Sequence, residues 1–293
     1  MKMREALSTA AVILESRGIE GSRLDAEVLL MHILKKDRTF LIMEPSYQLS
    51  QEENDEFFRT INERASGKPV SYITGEKEFM GLTFKVCEAV LIPRPDTEIL
   101  VEEGIEILKK KEEKSFLDMC TGSGAIAVSL AYYVSDSKGI GADISPEALA
   151  VAKSNAELNE VNERLSFAQG DLFEAISEEE KFDLIASNPP YIRKDVINEL
   201  MTDVKDHEPA LALDGGPDGL DFYRRIVPEA ARRLKPGGSL LLEIGHDQGQ
   251  DVSALLHRAA FSNIRILKDL AGHDRVVCGE FHIRREYCVC GKR

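Results

Sequence analysis

From Asp96 to Phe281, short apolar runs alternate with stretches of helical length, and this alternation constrains the fold of the 293-residue chain more than any other feature. SFLDM (Ser115 to Met119), GIGAD (Gly139 to Asp143), LSFAQ (Leu165 to Gln169), FDLIAS (Phe182 to Ser187) and SLLLEI (Ser239 to Ile244) are too short for helices. They are apolar enough for strands covered on both faces. Pro146 to Leu158 and Leu220 to Leu234 supply helices between them, so the order predicts βαβ units and a mainly parallel sheet. The last pair, Asn263 to Asp269 and Asp274 to Phe281, is separated by a few residues that include Gly272. No crossover helix fits in that gap, and the last strand is expected to run antiparallel.

Residues 3 to about 66 carry a different period. Ala6, Ala10, Ile13 and Leu14, then Leu24, Val28, Leu29 and Ile33, recur at helical spacings, and with Phe57, Phe58 and Ile61 they predict a small helical bundle. Ser22 followed by Asp25 reads as a helix start, and Gly18 and Gly21 as a stop and a turn. Between Pro69 and Pro95 the chain mixes Tyr, Ile, Thr, Phe and Val with Gly75 and Gly81, the pattern of a hairpin. The expected organisation is a helical docking domain over residues 1–66, a β-hairpin linker over 67–95 and a Rossmann-like α/β domain over 96–293.

A net charge of −14 opposes binding to a nucleic-acid backbone or an anionic membrane unless a basic patch intervenes. Lys109-Lys110-Lys111 is followed at once by Glu112 and Glu113, so it makes no such patch. The first residues alternate charged with apolar side chains, and nowhere do about 18 apolar residues run together as a membrane span needs, so a cytoplasmic chain is expected. The cysteines number five and are scattered, which suits reduced thiols. Cys288-Val289-Cys290 lacks a second pair of ligands, and no metal is expected there.

In LDMCTGSGAIA (Leu117 to Ala127) a strand runs into a loop with Gly122 and Gly124 and then a helix. Glycines let the backbone turn sharply and approach a ligand, and the helix start offers unpaired N–H groups. Asp143 ends the next strand, where a carboxylate can accept from both hydroxyls of a ribose. An adenosine-bearing cofactor follows, either NAD or S-adenosylmethionine. Asp118 is a candidate partner for a methionine ammonium, and Asp171 in QGDLF for an adenine edge.

The segment IASNPPYI (Ile185 to Ile192) separates the two cofactors. Pro189 and Pro190 carry no backbone N–H, and the residue before a proline is held extended, so the segment offers acceptors and almost no donors. The Asn188 side-chain oxygen and the Pro189 carbonyl suit the two hydrogens of a planar –NH2 group, with the Tyr191 ring as a flat wall. Holding both hydrogens aligns the nitrogen lone pair with an electrophile, which a sulfonium methyl is and a hydride acceptor is not.

These residues resemble the amino-methyltransferases with a [DNS]-P-P-[YF] motif. Among them, the chain is similar to the protein-glutamine methyltransferases that modify peptide-chain release factors, the PrmC or HemK family. The resemblance covers nearly the whole chain through SYITGEKEF (Ser71 to Phe79), VLIPRPDTE (Val90 to Glu98), LDMCTGSGAIA, SNPPYI, HEPALALDGGPDGL (His207 to Leu220) and LAGHDRVV (Leu270 to Val277). It implies a methyltransferase domain over 96–293, S-adenosylmethionine as cofactor with S-adenosylhomocysteine as product, a release factor as partner, and a monomer. It implies that Asn188 and Pro189 hold the glutamine amide of a Gly-Gly-Gln motif, with Tyr191 beside it and Pro190 completing the substrate wall. Thr121, Gly122, Ser123 and Gly124 would contact the methionine part, Asp143 the ribose, and Asp171 with Leu172 the adenine. Asp118, Cys120 and Asn188 complete the expected cofactor set. Cys120 stands where many methyltransferase loops have glycine, which requires a negative φ there. Large neighbours of Leu172 that some relatives use for stacking are absent.

For VLIPRPDTE the local reading is that Pro93 and Pro95 stiffen a connection and Asp96 caps a helix; that Arg94 and its neighbours wall the active site is implied by the resemblance alone. His207 and Glu208 are expected to order a loop, because amide methylation needs little base. An adenine-N6 DNA methyltransferase shares NPPY, but the acidic charge opposes it. A ribosomal-protein glutamine methyltransferase is the second alternative. An NAD oxidoreductase leaves NPPY without a role, and a non-catalytic adaptor leaves Asn188, Gly122, Gly124 and Asp143 without one.

Overall fold

The computed structural model describes residues 1–282, so Cys288-Val289-Cys290 lies outside the described residues. The chain forms two compact units. One comprises Met1–Lys77, Val86–Glu88 and Glu199–Glu208; the other comprises Glu78–Lys85, Ala89–Asn198 and the described residues from Pro209 onward.

The first unit contains α1 (Met3–Glu15), α2 (Ser22–Leu34), α3 (Arg38–Met43), α4 (Gln51–Ala65) and α5 (Val70–Thr74). Ala6, Ala10 and Leu14 of α1 meet Leu29 of α2 and Phe57 and Ile61 of α4 in one buried cluster. A capping box opens α4: Glu53 N donates to Ser50 Oγ at 3.1 Å, and Ser50 N donates to Glu53 Oε2 at 2.7 Å. α2 does start at Ser22, but its cap is Gly21 in the left-handed region, and Asp25 pairs with Arg64 at 2.7 Å. Leu24 is 55% exposed; the inward face of α2 runs through Ala26, Leu29 and Leu30 instead.

The stretch expected as a hairpin opens with a helix. Pro69 stands at the N-cap of α5, and Gly75, at φ 76°, closes it after one turn. Pairing is confined to β1 (Glu76–Phe79) and β2 (Leu82–Lys85), joined by Met80 and Gly81, both with positive φ as a type I′ turn requires.

In the second unit β3 (Ser115–Met119), β4 (Lys138–Asp143), β5 (Leu165–Gln169), β6 (Phe182–Ser187), β7 (Leu234–Glu243), β8 (Phe261–Lys268) and β9 (Asp274–Phe281) form one sheet in the order β5-β4-β3-β6-β7-β9-β8. β3 to β7 run parallel, and β9 is antiparallel to both its neighbours, as the short last connection predicts. Helices α6 (Thr97–Leu108), α7 (Ala125–Tyr133), α8 (Pro146–Leu158), α10 (Asp221–Arg233) and α11 (Gly249–Arg258) belong to this unit, while the short α9 (Thr202–Lys205) belongs to the first. Every residue of β6 is buried, and the strand's pleat divides it: Leu184 and Ala186 join one core with Phe116, and Ile185 joins the other with Leu117 and Tyr223. Both faces are covered, which is why these strands read as near-continuous apolar runs. The sheet order turns at β3, between β4 and β6, so the carboxyl ends of these strands frame a crevice.

Candidate active site

That crevice holds a cavity of about 370 Å³, within the range that suits a small-molecule ligand of roughly 300–1,000 Å³. Its floor is the loop after β3. Thr121 N donates to Ala142 O at 3.0 Å, Gly124 N to Thr121 O at 2.8 Å, and Gly122 N to Asp143 Oδ2 at 2.9 Å. Gly122 (φ 54°) has nothing near its missing side chain, leaving room for a ligand against the backbone. Gly124 (φ 80°) would bring a Cβ to 3.2 Å from the Ala152 Cα, so helix packing also requires glycine there.

Cys120 lies at φ +60°, contrary to the negative φ expected for a side chain at that position. The conformation costs about 1–3 kcal/mol and persists because the bonds on either side over-determine the turn. Burial, then the Asp143 charge, pushes the thiol far up, so it is a neutral lining group rather than a nucleophile.

Asp118 is fully buried, and its side chain contributes nothing to the cavity wall. Its Oδ2 accepts from Thr121 Oγ1 at 2.6 Å and Ala127 N at 3.1 Å, while Oδ1 has no hydrogen-bond partner among the described residues. Burial pushes the carboxyl up to about 7. It therefore ties the end of β3 to the loop and the start of α7 rather than meeting a ligand directly. Asp143 does line the cavity: Oδ1 accepts from Ser145 N at 3.0 Å and Oδ2 from Gly122 N. Each oxygen keeps a second acceptor site, so the carboxylate is oriented without being used up. Asp171 lines the cavity with its carboxylate 2.7 Å from Arg225 Nη2, and Leu172, at φ 52°, follows it into the wall.

Of the NPPY segment, Asn188 and Pro190 line the cavity, whereas Pro189 and Tyr191 do not. The flat-wall role expected of Tyr191 is not what the fold gives it. Its ring packs on the core around Tyr223, with its hydroxyl 3.5 Å from Glu243 Oε1. Asn188 Nδ2 donates to Thr97 Oγ1 at 3.2 Å.

Other motifs take up places around this segment. Pro93, Arg94 and Thr97 of VLIPRPDTE line the cavity, and Asp96 makes no helix cap; its carboxylate pairs with Arg275 at 3.2 Å, which also holds Asp269 at 3.0 Å. In the GGPDG stretch, Gly215 N donates to Ile192 O at 2.8 Å and Ile192 N to Leu213 O at 3.0 Å. A Cβ at Gly215 would stand 2.7 Å from the Tyr191 Cα, so glycine lets the two main chains touch. His207 and Glu208 fall in the first unit and do not line the cavity. Thr97 is reached only as one of the neighbours of Arg94, and three functional candidates escape a sequence reading: Glu243, Phe222 and Arg225. The last two enter the lining together because they stand three residues apart on α10.

A glycine loop after the first strand of a parallel sheet, an acid after the second, an Asn-Pro-Pro segment after the fourth and an antiparallel last strand define a class I S-adenosylmethionine-dependent methyltransferase. Residues 5–75 match a model described as the PrmC N-terminal domain, and residues 110–270 one described as a methyltransferase domain. The "Release factor glutamine methyltransferase" of Clostridium acetobutylicum is 47% identical over 94% of this chain and 98% of its own. That of Moorella thermoacetica is 46% identical over 94% and 97%. The chain belongs to the release factor glutamine methyltransferase family. A solved methyltransferase from Pyrococcus furiosus shares the fold, with TM-score 0.54 at 19% identity over 76% of this chain and 99% of that one.

The cavity fits this cofactor on its own terms. Gly122 leaves open backbone for the methionine end, Asp143 keeps free acceptor sites for a ribose, and Asp171 stands beside the main chain of Leu172. Asp143→Ala is expected to weaken cofactor binding about 100-fold, since it removes the hydroxyl acceptors and frees the Gly122 and Ser145 amides together. Isothermal titration with S-adenosylhomocysteine measures this; an unchanged Kd would remove Asp143 from the site.

Proposed function

We propose that the protein transfers a methyl group from S-adenosylmethionine to the side-chain amide nitrogen, N5, of the glutamine in the Gly-Gly-Gln motif of a peptide-chain release factor. The observation that carries the reading is that Asn188 and Pro190 share one cavity wall with Gly122, Cys120 and Asp143. An amide-accepting segment and a cofactor-holding loop therefore open on the same space.

The bound cofactor supplies an electrophilic methyl. The chain's own residues supply position. Asn188 Oδ1, at the cavity wall, accepts from the glutamine amide, and the nitrogen lone pair is thereby aimed across the cavity. Val90, Leu91 and Pro93 give the wall apolar surface that limits water. The extra proton of the methylated amide is acidic and passes to solvent, so no dedicated strong base is needed. The helical domain, residues 1–66, is assigned to substrate docking.

Incubation with methyl-labelled S-adenosylmethionine and a release factor, in parallel with its Gln→Ala variant, tests the proposal. Label should enter the wild-type factor alone. Label in both, or only in added DNA or ribosomal protein, would sink it.

A further inference from the structure

Beneath Asn188 runs a buried polar chain that amide clamping leaves without a role. Thr97, which accepts from Asn188 Nδ2 at 3.2 Å, is 4% exposed, and its hydroxyl faces the buried Glu243 carboxyl, where it holds the carboxyl's pKa down against burial. Glu243 ends β7 and is 1% exposed; Tyr191 Oη stands 3.5 Å from its Oε1, and its Oε2 has no hydrogen-bond partner among the described residues. We propose that Glu243, acting through Thr97, is a positioning residue that fixes which end of the Asn188 amide faces the substrate. The inference rests on Asn188 being the amide clamp.

A hydroxyl has one proton to give and two lone pairs to receive. An ionised Glu243 can only accept, so the Thr97 proton goes to it and the Thr97 oxygen remains an acceptor. Only the NH2 end of Asn188 can then face Thr97, and Oδ1 is turned to the cavity, where the substrate amide brings two N–H donors. A protonated Glu243, or a glutamine in its place, can donate to Thr97 instead. Thr97 is then free to give its proton to Asn188 Oδ1, and the amide turns over. Donor would face donor, and the glutamine nitrogen would lose its alignment.

The surroundings of Glu243 place this choice near neutral pH. Burial pushes its carboxyl up to about 7, against the Thr97 hydrogen bond, the Arg275 charge and the Tyr191 hydroxyl, while Asp96 adds to the rise. The groups facing it are Thr97 and Asp96 at the start of α6, Tyr191, Arg275 on β9, and Tyr223 on α10, whose hydroxyl bonds the Glu243 main-chain carbonyl at 2.8 Å. Tyr191, Tyr223 and Arg275 are all shifted upward and keep one charge state across this range. Methyl transfer should therefore rise with pH through about 7. Stability moves the other way, because a carboxyl with a raised pKa stabilises the fold below its unfolded value and that contribution is lost as pH climbs through the folded one; Asp118 adds the same trend.

The test measures kcat, the KM for release factor and the cofactor Kd in Glu243→Gln, Thr97→Val, Thr97→Ser and Asn188→Ala. Glu243→Gln and Thr97→Val should each lower kcat about 10- to 100-fold, with KM and Kd within about threefold. Their double mutant should be no worse than the weaker single, because both break one chain. Thr97→Ser, which keeps the hydroxyl, should recover most of the kcat lost in Thr97→Val, and Glu243→Gln should lose the acid limb of the pH profile. Wild-type kcat in Glu243→Gln, additive losses, or a persisting acid limb would overturn the relay. If Glu243→Gln does not fold, the Val and Ser variants of Thr97 decide alone. Transfer retained in Asn188→Ala would bring down the clamp itself; transfer lost there but intact in the other variants would bring down only the relay.

Discussion

Asn188→Ala is expected to lower methyl transfer to release factor by about 1,000-fold or more while changing the Kd for S-adenosylhomocysteine by no more than about threefold. The split follows from where the side chain stands. Asn188 closes the cavity at the end where β6 emits the NPPY segment, whereas the cofactor's proposed anchors, Gly122, Asp143 and Asp171, come from the ends of β3, β4 and β5. An amide nitrogen has its lone pair delocalised and attacks poorly, so nearly all the rate must come from alignment, and an alanine provides none. Asn188→Asp is the sharper variant. It keeps the acceptor, but the end that faces Thr97 becomes a carboxylate oxygen and the donor to Thr97 Oγ1 is lost. Its kcat should fall between those of the wild type and the alanine variant. Single-turnover rates with labelled cofactor, beside titration calorimetry, separate the two quantities; a large loss of cofactor affinity with transfer retained would contradict the clamp.

Much of the scaffold was legible because strand signals are local. FDLIAS, SFLDM and LSFAQ are bounded by turn residues, and their structural limits coincide with the apolar runs. The antiparallel last strand followed from the length of a single connection. At Pro69 the signal was ambiguous: residues of strand-like composition form α5, since a proline at the cap and a left-handed glycine at the end outweigh β propensity over a single turn. Asp96 misled for a related reason. Its place before a helix resembles a cap, but Arg275 arrives from far along the chain and takes the carboxylate, a contact that no local pattern encodes.

The site was legible in its types and less so in its orientations. Asp143, Gly122 and Asn188 line the cavity, yet Tyr191 turns inward and Asp118 stands behind the loop. Sequence spacing gives the position along a strand but not the direction of a side chain in the loop that follows. Cys120 shows the same limit in the backbone. A left-handed cysteine is disfavoured taken alone, and only the bonds from Thr121, Gly122 and Gly124 make it the conformation that closes the turn. Glu243 is hidden from a sequence reading altogether, because an acid at the end of an apolar strand looks like the strand's solvated exit.

Gly219→Ala should damage activity severely for a single added methyl group, and it tests whether the GGPDG stretch exists to hold NPPY in place. Gly219 lies at φ +75°, and a Cβ there would stand 2.4 Å from the Tyr191 carbonyl oxygen and 2.5 Å from Gln248 Nε2. Neither neighbour can yield cheaply. Gln248 is buried, its Nε2 donates to Tyr191 O at 3.0 Å and to Gly219 O at 3.2 Å, and its Oε1 accepts from Gly245 N at 2.9 Å. The Tyr191 main chain must therefore move, and Asn188 three residues before it moves too. A loss of stability of about 2–4 kcal/mol is expected, with kcat reduced by about 100-fold in the molecules that remain folded. Gly237→Ala is the matched control. At φ +77° it bears the same left-handed strain, but nothing lies within 4 Å of its missing Cβ, so it should cost about 1 kcal/mol and leave transfer unchanged. Urea midpoints and kcat measured on both variants separate strain from displacement. Equal activities in the two would mean that the glycines serve the turn alone and that NPPY holds its place without them.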